Sequence, residues 1–344
     1  MMLRAVVEPG TGTRLHHTTV PTPGDGEVLV RSTLVGICGS DTHALAGHHP
    51  FLTGPYVPGH EAIGEVVSTG PGVDGPVRPG QRVLLKPNVA CGTCLNCRAD
   101  RTNACETLAW VGCDPSDALP GAMADYFVAP ARNLYAVPDG LSDEAAALVE
   151  CLATPVHAAR IAGDLSGARV VVLGAGTIGL LCVLAALHAG AASVVVTDME
   201  QSKVDRARRV GAAGGVIATS ERLPDEVREL LGGPADVVFD CVANGRSLDQ
   251  AVGLLRRAGT LLIVGVPPRP DPINLPLVQD WELRVQGCAA YTEADIVTAL
   301  GIAVDGGLPV DEIVSGTYEL GHIAEAFAAA GADTSGKVMI SMAR

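Results

Sequence analysis

The sequence predicts an α/β protein that combines an irregular antiparallel β domain with a doubly wound parallel sheet. Up to about residue 150, short valine-containing runs alternate with glycine and proline turns, which is typical of antiparallel β structure. From residue 168 to residue 287, apolar strands alternate with helical stretches, which implies a parallel sheet covered on both faces. The 344 residues are enough for two such domains, each with its own core.

The first part of the chain contains three strand signals and one helix start. The strand signals lie at residues 27–31, 63–67 and 81–85. Ser142 is predicted to cap a helix, because Asp143 and Glu144 follow it and an alanine-rich segment comes next.

The second part of the chain is predicted to hold the parallel sheet. Its strands are predicted at 170–173, 194–197, 237–239 and 261–264, with helices at 202–210 and 246–256. The remaining chain is predicted to form helices near 294–303 and 323–330 and a strand at 337–341.

The stretch 170–197 carries no formal charge and is long enough to span a membrane. Its four glycines and the β-branched run at each end favour a strand, a helix and a second strand instead.

Composition excludes several classes of partner. The formal net charge of −14 disfavours binding to nucleic acid or to an anionic membrane, because both would repel the protein. The first residues contain no apolar segment typical of a signal peptide, so we expect a cytoplasmic protein. In that reducing compartment the clustered ones among the ten cysteines are expected to be metal ligands rather than disulfides.

Residues 170–181 have the pattern of a dinucleotide-binding turn, in which a strand leads into G-x-G-x-x-G and then an apolar helix. Gly174 permits the tight turn, Gly176 lets the backbone approach a pyrophosphate, and Gly179 lets helix and strand pack closely. The helix N-terminus then favours the diphosphate. The pattern therefore predicts a Rossmann-type coenzyme domain.

The next strand ends at Asp198, whose carboxylate could accept hydrogen bonds from an adenosine ribose and would repel a 2′-phosphate. This favours NAD over NADP, although Asp198 could instead be a helix cap. Lys203 is either a ribose contact or an exposed helix lysine. The further predicted coenzyme contacts are Thr154, Thr177, Ile178 and Val264.

Four cysteines form a compact C-x2-C-x2-C-x7-C pattern: Cys91, Cys94, Cys97 and Cys105. Four thiolates at this spacing are typical of a closed tetrahedral zinc site with a structural role. An iron–sulfur cluster and a disulfide pair are the alternatives. The ferredoxin pattern closes with a shorter gap and a proline after its last cysteine, whereas Glu106 stands here.

The segments Cys-Gly-Ser-Asp at 38–41 and Gly-His-Glu at 59–61 precede the four cysteines and the glycine-rich turn. Taken alone, Cys38 and His60 would be a buried cysteine and a core histidine. With all four motifs in this order, the chain resembles the medium-chain zinc alcohol dehydrogenase family over essentially its whole length. Its patterns are similar to those of the butanediol, sorbitol and threonine dehydrogenase branches.

The resemblance implies a GroES-like catalytic domain over residues 1–151, with a structural zinc lobe at about 88–106. A Rossmann NAD-binding domain over 152–288 would follow, and residues 289–344 would return to the catalytic domain. It also implies two zinc ions per chain, one structural and one catalytic, and assembly as a homotetramer or homodimer. An apolar strand near 261–266 is expected at a sheet edge, where it could extend the sheet across a two-fold axis. The alternative is a strand that is covered within its own subunit.

The resemblance assigns the catalytic zinc to Cys38 and His60, and a third protein ligand is required. Glu150 resembles the acidic ligand of the sorbitol and butanediol branches. Those branches usually have proline at the next position, so the thiol of Cys151 is an alternative ligand. Glu61 is another, because the family places this glutamate close to the metal.

Three further residues match the family's catalytic segment. Asp41 resembles the carboxylate that orients the zinc-bound histidine, unless it is only a local turn cap. Ser40 and His43 match the relay that carries the substrate proton to solvent. The other seven histidines are interpreted as non-ligands: His16, His17, His48, His49, His157, His188 and His322.

The resemblance implies hydride transfer between NAD(H) and a secondary alcohol, a vicinal diol or a cyclic, polyol-type alcohol. Residues 286–295 resemble the butanediol dehydrogenase pattern, and Ala290 replaces an arginine typical of sorbitol dehydrogenases, which argues against a long linear polyol. One alternative is an NADP-dependent member acting on a sugar-like or secondary-metabolite intermediate. Two others are a zinc-free quinone or enoyl reductase and a non-enzymatic Rossmann protein, which would not need the zinc motifs.

Overall fold

The computed structural model describes residues 1–75, 77–267, 269–332 and 336–342. The chain divides into two compact units. Unit 1 comprises Met1–Glu150, Ala303–Asp305 and Val314–Arg344, and unit 2 comprises Cys151–Ile302 and Gly306–Ile313.

The first part of unit 1 is built from short strands. They are β1 (Met2–Glu8), β2 (Gly12–Thr18), β3 (Glu27–Gly36), β4 (Glu61–Thr69), β5 (Arg82–Leu85), β6 (Asn88–Val89), β7 (Ala109–Trp110), β8 (Tyr126–Pro130) and β9 (Leu134–Ala136). The helices are α1 (Gly39–Leu45), α2 (Leu95–Arg98) and α3 (Asp143–Ala162, which passes into unit 2 at Cys151). Ser142 caps α3 as predicted, because its Oγ accepts a hydrogen bond from the Ala145 amide at 3.2 Å.

Unit 2 alternates strands and helices. Its strands are β10 (Arg169–Leu173), β11 (Ser193–Asp198), β12 (Gly214–Ile217), β13 (Ala235–Asp240), β14 (Leu255–Ile263) and β15 (Arg284–Gly287). Its helices are α4 (Thr177–His188), α5 (Gln201–Arg209), α6 (Leu223–Leu231), α7 (Gly245–Leu254), α8 (Leu275–Asp280), α9 (Glu293–Val304, whose last turn passes into unit 1) and α10 (Val310–Ile313). All pairings in the six-stranded sheet are parallel, in the order β12-β11-β10-β13-β14-β15.

The chain closes unit 1 with β16 (Val314–Glu319), α11 (Ile323–Ala330) and β17 (Lys337–Ser341). The main sheet of this unit runs β16-β17-β3-β4-β5-β9, and β8 pairs with β3. Gly36 at the end of β3 therefore lies opposite Glu61 on one side and Met339 of β17 on the other. The predicted combination of an antiparallel β domain with a parallel α/β domain is confirmed.

The prediction of an edge strand near residues 261–266 is wrong. Strand β14 is covered on both sides, because β15 pairs with it in parallel after the chain returns through α8. The exposed edge at this end of the sheet is β15, in which Val285 is 37% exposed.

The charge-free stretch 170–197 folds as β10, α4 and β11, as the glycine spacing predicts. By length and composition alone, α3 is apolar enough to cross a bilayer, and 78% of its most apolar window is buried inside the protein.

Residues 289–302 group with unit 2, whereas the sequence led us to expect them in the catalytic domain. The physical reason is a buried carboxylate on α9. Asp295 accepts hydrogen bonds from His157 and Arg160 of α3 at 2.8 and 2.6 Å, and from the Thr292 amide at 2.7 Å. Burial by itself would raise the pKa of Asp295, but these hydrogen bonds hold the pKa well below its usual value of 3.8.

Replacing Asp295 with alanine should destabilise unit 2 by about 3 kcal/mol, because His157 and Arg160 lose their shared buried partner. The loss should be measured as the free energy of urea unfolding at neutral pH. Since the pKa is lowered on folding, the contribution should be present above about pH 4 and disappear as the pH falls through the lowered value. Glu293→Ala, an exposed acid in the same helical turn, is the control and should change stability by less than about 1 kcal/mol. Equal losses of stability in the two variants would contradict the role of Asp295 as the buried partner of His157 and Arg160.

Candidate metal and coenzyme sites

The ends of two neighbouring strands bring three metal-binding side chains together. Cys38 follows β3 and is the N-cap residue of α1, while His60 and Glu61 stand where β4 begins. Because Gly36 pairs with Glu61, the ligand atoms of Cys38, His60 and Glu61 all lie within 4.8 Å of one another. A thiol, an imidazole and a carboxylate are the donor types that zinc accepts.

Two buried carboxylates belong to this region. Glu150 on α3 is 7% exposed, and one of its oxygens lies within 4.8 Å of an oxygen of Glu61. Cys151 follows in the same helix and is 3% exposed. Glu150 is thus brought next to the predicted cluster, while the choice among Glu150, Cys151 and Glu61 as third ligand stays a prediction.

Glu61 is held by a lysine that the sequence reasoning did not single out. Lys337, the first residue of β17, places its Nζ 2.6 Å from both carboxylate oxygens of Glu61 and donates to the Ile37 carbonyl at 3.1 Å. Both side chains of this ion pair are at most 5% exposed. The glycine at position 36 is required here, because a Cβ would stand 2.1 Å from Glu61 Oε2.

Asp41 is completely buried beside His60, as the resemblance implies, yet its nearest oxygen is 4.0 Å from His60 Nδ1. Its oxygens instead accept hydrogen bonds from the Tyr56 hydroxyl at 2.8 Å and from the Cys38 amide at 3.2 Å. The second contact caps α1, which was the alternative interpretation of Asp41. Burial raises the pKa of Asp41 above its usual value.

The thiol of Cys113 lies closer to His60 Nδ1 than the Asp41 carboxylate does, with its Sγ 3.4 Å away. Sequence spacing gave no sign of this contact, because Cys113 lies outside the four-cysteine pattern. The sequence feature that could have indicated the contact is Gly112, the glycine before Cys113. Gly112 has φ +81°, and a Cβ there would stand 2.9 Å from the carbonyl of Gly59, the residue before His60.

The predicted relay residues both lie on α1. The Oγ of Ser40 is buried and has no hydrogen-bond partner among the described residues, so a bound ligand could satisfy it. His43 is exposed to solvent three residues later. His49, interpreted above as a non-ligand, accepts hydrogen bonds from the amides of Phe51 and Leu52. Partial burial lowers the pKa of His49, and the neighbouring His43 and His60 lower it further.

The four-cysteine lobe brings its sulfur atoms together as predicted, within 4.8 Å of one another: Cys91, Cys94, Cys97 and Cys105. The amides of Thr93 and Cys94 both donate to Cys91 Sγ at 3.4 Å, and they lower the pKa of this thiol to about 5. Backbone donors aimed at sulfur favour thiolates, which are the form that binds zinc. The arrangement can therefore hold a tetrahedral metal ion.

The glycine-rich turn between β10 and α4 has the geometry that a diphosphate requires. Gly174 has φ +92°, and a Cβ on Gly179 would stand 1.8 Å from the Gly174 carbonyl oxygen. The space beside Gly176, the N-cap residue of α4, is open. The carboxylate of Asp198 accepts hydrogen bonds from the amides of Ala175 at 2.7 Å and Glu200 at 3.1 Å. It is thus fixed at the turn, while its contact with an adenosine ribose stays a prediction.

The other predicted coenzyme residues lie at several places in unit 2. Thr177 and Ile178 open α4 directly after the turn. Val264 follows β14, and its amide donates to the Asp240 carbonyl at 2.9 Å. Thr154 lies on α3, with its carbonyl 3.8 Å from Cys288 Sγ, and Lys203 is half-buried on α5. Their contacts with a coenzyme stay predictions.

Comparison with known proteins gives matches along the chain. The family model for the alcohol dehydrogenase GroES-like domain matches residues 24–139, and that for zinc-binding dehydrogenase matches residues 177–304. The chain is 32% identical over 329 residues to L-threonine 3-dehydrogenase of Anaeromyxobacter dehalogenans (strain 2CP-C), covering 94% of each protein.

Two solved structures have the same fold. One is a zinc-binding dehydrogenase from Sinorhizobium meliloti 1021 bound to NADP, with a TM-score of 0.91, 30% identity and 99% of each chain covered. The other is 2R,3R-butanediol dehydrogenase from Bacillus subtilis, with a TM-score of 0.89, 27% identity and 100% of each chain covered.

Replacing Cys105 with alanine should remove one metal ion per chain, because a closed site loses its fourth thiolate. Zinc content should be measured by atomic emission on purified protein, and we expect a loss of about one ion relative to the unaltered chain. Cys182→Ala, which removes a buried thiol in unit 2, is the control and should keep the full content. Unchanged zinc in Cys105→Ala would exclude the lobe as a metal site.

Proposed function

Since the chain belongs to the medium-chain zinc-dependent alcohol dehydrogenase family, we propose that it transfers a hydride between NAD(H) and a secondary alcohol, a vicinal diol or a cyclic, polyol-type alcohol. Membership is shown by the two family models and by the threonine dehydrogenase relative, which confirms the predicted resemblance. The chain is thus an alcohol or polyol oxidoreductase. The observation that carries the proposal is the convergence of Cys38, His60 and Glu61 at the paired ends of β3 and β4.

We assign the catalytic zinc to Cys38, His60 and Glu150. A zinc ion in such a site polarises the substrate oxygen and lowers the pKa of its hydroxyl. Glu61 is less suited to be the third ligand, because Lys337 already holds both of its oxygens at 2.6 Å. The role of Glu61 is then to balance the charge of Lys337 beside the proposed zinc site. Cys151 is the remaining alternative to Glu150.

The route for the substrate proton begins at Ser40. Its buried Oγ lacks a partner among the described residues, so it is available to hydrogen-bond the substrate hydroxyl and take up its proton. His43 on the same helix is exposed, so its imidazole can pass the proton to solvent. A bound nicotinamide would accept the hydride from the carbinol carbon, so that two electrons would pass to the coenzyme and one proton to water.

The coenzyme is proposed to be NAD. The Asp198 carboxylate is fixed by two backbone amides and would repel a 2′-phosphate. The Sinorhizobium meliloti relative is bound to NADP, so the preference of this chain needs its own measurement. We further propose a cytoplasmic enzyme that assembles as a homotetramer or homodimer.

The main rival is a zinc-free reductase of the same superfamily. It would not need a thiol, an imidazole and buried carboxylates within ligand distance, nor a separate four-thiol lobe. Zinc analysis separates the two, because the proposal requires about two ions per chain and the rival none.

Replacing Glu150 with glutamine should abolish oxidation of secondary alcohols and vicinal diols with NAD and release about one zinc per chain, because an amide is a poor zinc ligand. Turnover and zinc content should be measured together on a panel of alcohols. Cys151→Ser is the matched variant from the adjacent position and should keep both. If Cys151→Ser loses the ion and Glu150→Gln keeps it, the thiol is the third ligand. If no alcohol in the panel reduces NAD with the unaltered protein, the proposed function fails.

Replacing Asp198 with serine should shift coenzyme preference toward NADP by at least about tenfold in kcat/KM, because the charge that repels the 2′-phosphate is removed. The ratio of kcat/KM for NAD and NADP measures this effect. Asp205→Ser, an acid on α5 that bonds Gln201 instead, is the control and should leave the ratio unchanged. A preference for NADP in the unaltered protein would contradict the proposal that NAD is the coenzyme.

A further inference from the structure

We propose that Cys113 is the positioning residue of His60, so that its thiol, rather than the Asp41 carboxylate, orients the imidazole that binds the catalytic zinc. The inference rests on the proposed zinc site and concerns how that site is held. It differs from what the family resemblance implies, which gives this role to Asp41.

The distances separate the two candidates. Cys113 Sγ lies 3.4 Å from His60 Nδ1, within hydrogen-bond range for sulfur, whereas Asp41 Oδ2 is 4.0 Å from the same nitrogen. The Asp41 oxygens are engaged by the Tyr56 hydroxyl at 2.8 Å and by the Cys38 amide at 3.2 Å. Asp41 therefore holds the peptide that carries Cys38, while Cys113 contacts the imidazole itself.

The backbone around Cys113 is built for this contact. At Gly112 the chain passes so close to Gly59 that a Cβ would stand 2.9 Å from the Gly59 carbonyl. At Gly121 a Cβ would stand 2.2 Å from the Pro58 carbonyl oxygen, and the Ala122 amide donates to the Gly59 carbonyl at 2.8 Å. These two close approaches fix the segment that carries Cys113 against the turn that carries His60.

A second side chain of the same segment completes the frame. The ring of Trp110 meets His60 edge-on, with centroids 6.4 Å apart and an interplanar angle of 83°. Residues 110–113 thus contact His60 through an aromatic edge and a thiol. A ring held at both places has little freedom to rotate about its χ2 angle.

The contact selects which imidazole nitrogen is available. When Nδ1 carries the proton and donates to the Cys113 sulfur, Nε2 keeps its lone pair for a metal ion. Sulfur is a weaker acceptor than a carboxylate oxygen, so the imidazole gains orientation with less added negative charge. A serine hydroxyl at position 113 could replace this acceptor, and an alanine could not.

The test compares Cys113→Ala, Cys113→Ser and Asp41→Asn in the zinc-loaded protein, with the four-cysteine lobe filled throughout. Zinc affinity of the catalytic site is measured by competition with a chelator, and the Nδ1–H proton of His60 is followed by NMR. Cys182→Ala is the control for loss of a buried thiol elsewhere. We expect Cys113→Ala to weaken zinc binding by roughly tenfold or more and to shift the Nδ1–H resonance. Cys113→Ser should restore most of the affinity.

Two results would overturn the proposal. Wild-type zinc affinity with an unmoved Nδ1–H resonance in Cys113→Ala means that the thiol does not orient the ring. A resonance that moves in Asp41→Asn but not in Cys113→Ala returns the role to the carboxylate. If the unaltered protein binds zinc only in the four-cysteine lobe, the proposed function itself fails. The two failures are therefore distinguishable.

Discussion

The antiparallel pairing of β3 with β4 is the constraint on which the candidate metal site of unit 1 depends. It sets Gly36 opposite Glu61, and so brings Cys38, two residues after β3, close to His60, the residue before β4. The same point receives the start of β17, whose Lys337 enters a buried ion pair with Glu61. A buried carboxylate without this partner would be costly, and more so beside a thiolate and other acids. The strand pairing that brings the metal-binding side chains together therefore also places Glu61 where Lys337 can balance its charge.

The predicted coenzyme site of unit 2 depends on contacts that are more local in sequence. Gly174 and Asp198 lie at the carboxyl ends of the neighbouring strands β10 and β11. Gly179, in the first turn of α4, approaches the Gly174 carbonyl so closely that a Cβ would not fit. The Ala175 amide donates to Asp198, so the turn and the carboxylate proposed to bind the ribose support each other before any coenzyme arrives. Preorganisation of this kind reduces the ordering cost of binding.

Much of this was predictable because the signals are local. The strand that ends in the glycine-rich turn, the helix after Ser142 and the four-cysteine pattern each depend on spacing within one short stretch of chain. The clustering of Cys38 with His60 required the family resemblance, since neither residue alone indicates a metal. Cys113 and Lys337 escaped prediction because their partners are 53 and 276 residues away. The edge-strand prediction at 261–266 failed for a similar reason: only the returning β15 shows that β14 is covered.

We propose that one metal ion, held by unit 1 apart from the four-cysteine lobe, is needed for hydride transfer. The decisive measurement removes that ion with a chelator while the lobe stays filled, and follows NADH formation from a secondary alcohol. We expect NADH formation to fall to background while NADH still binds, and added zinc to restore it. Undiminished NADH formation by protein that keeps only the lobe metal would contradict it.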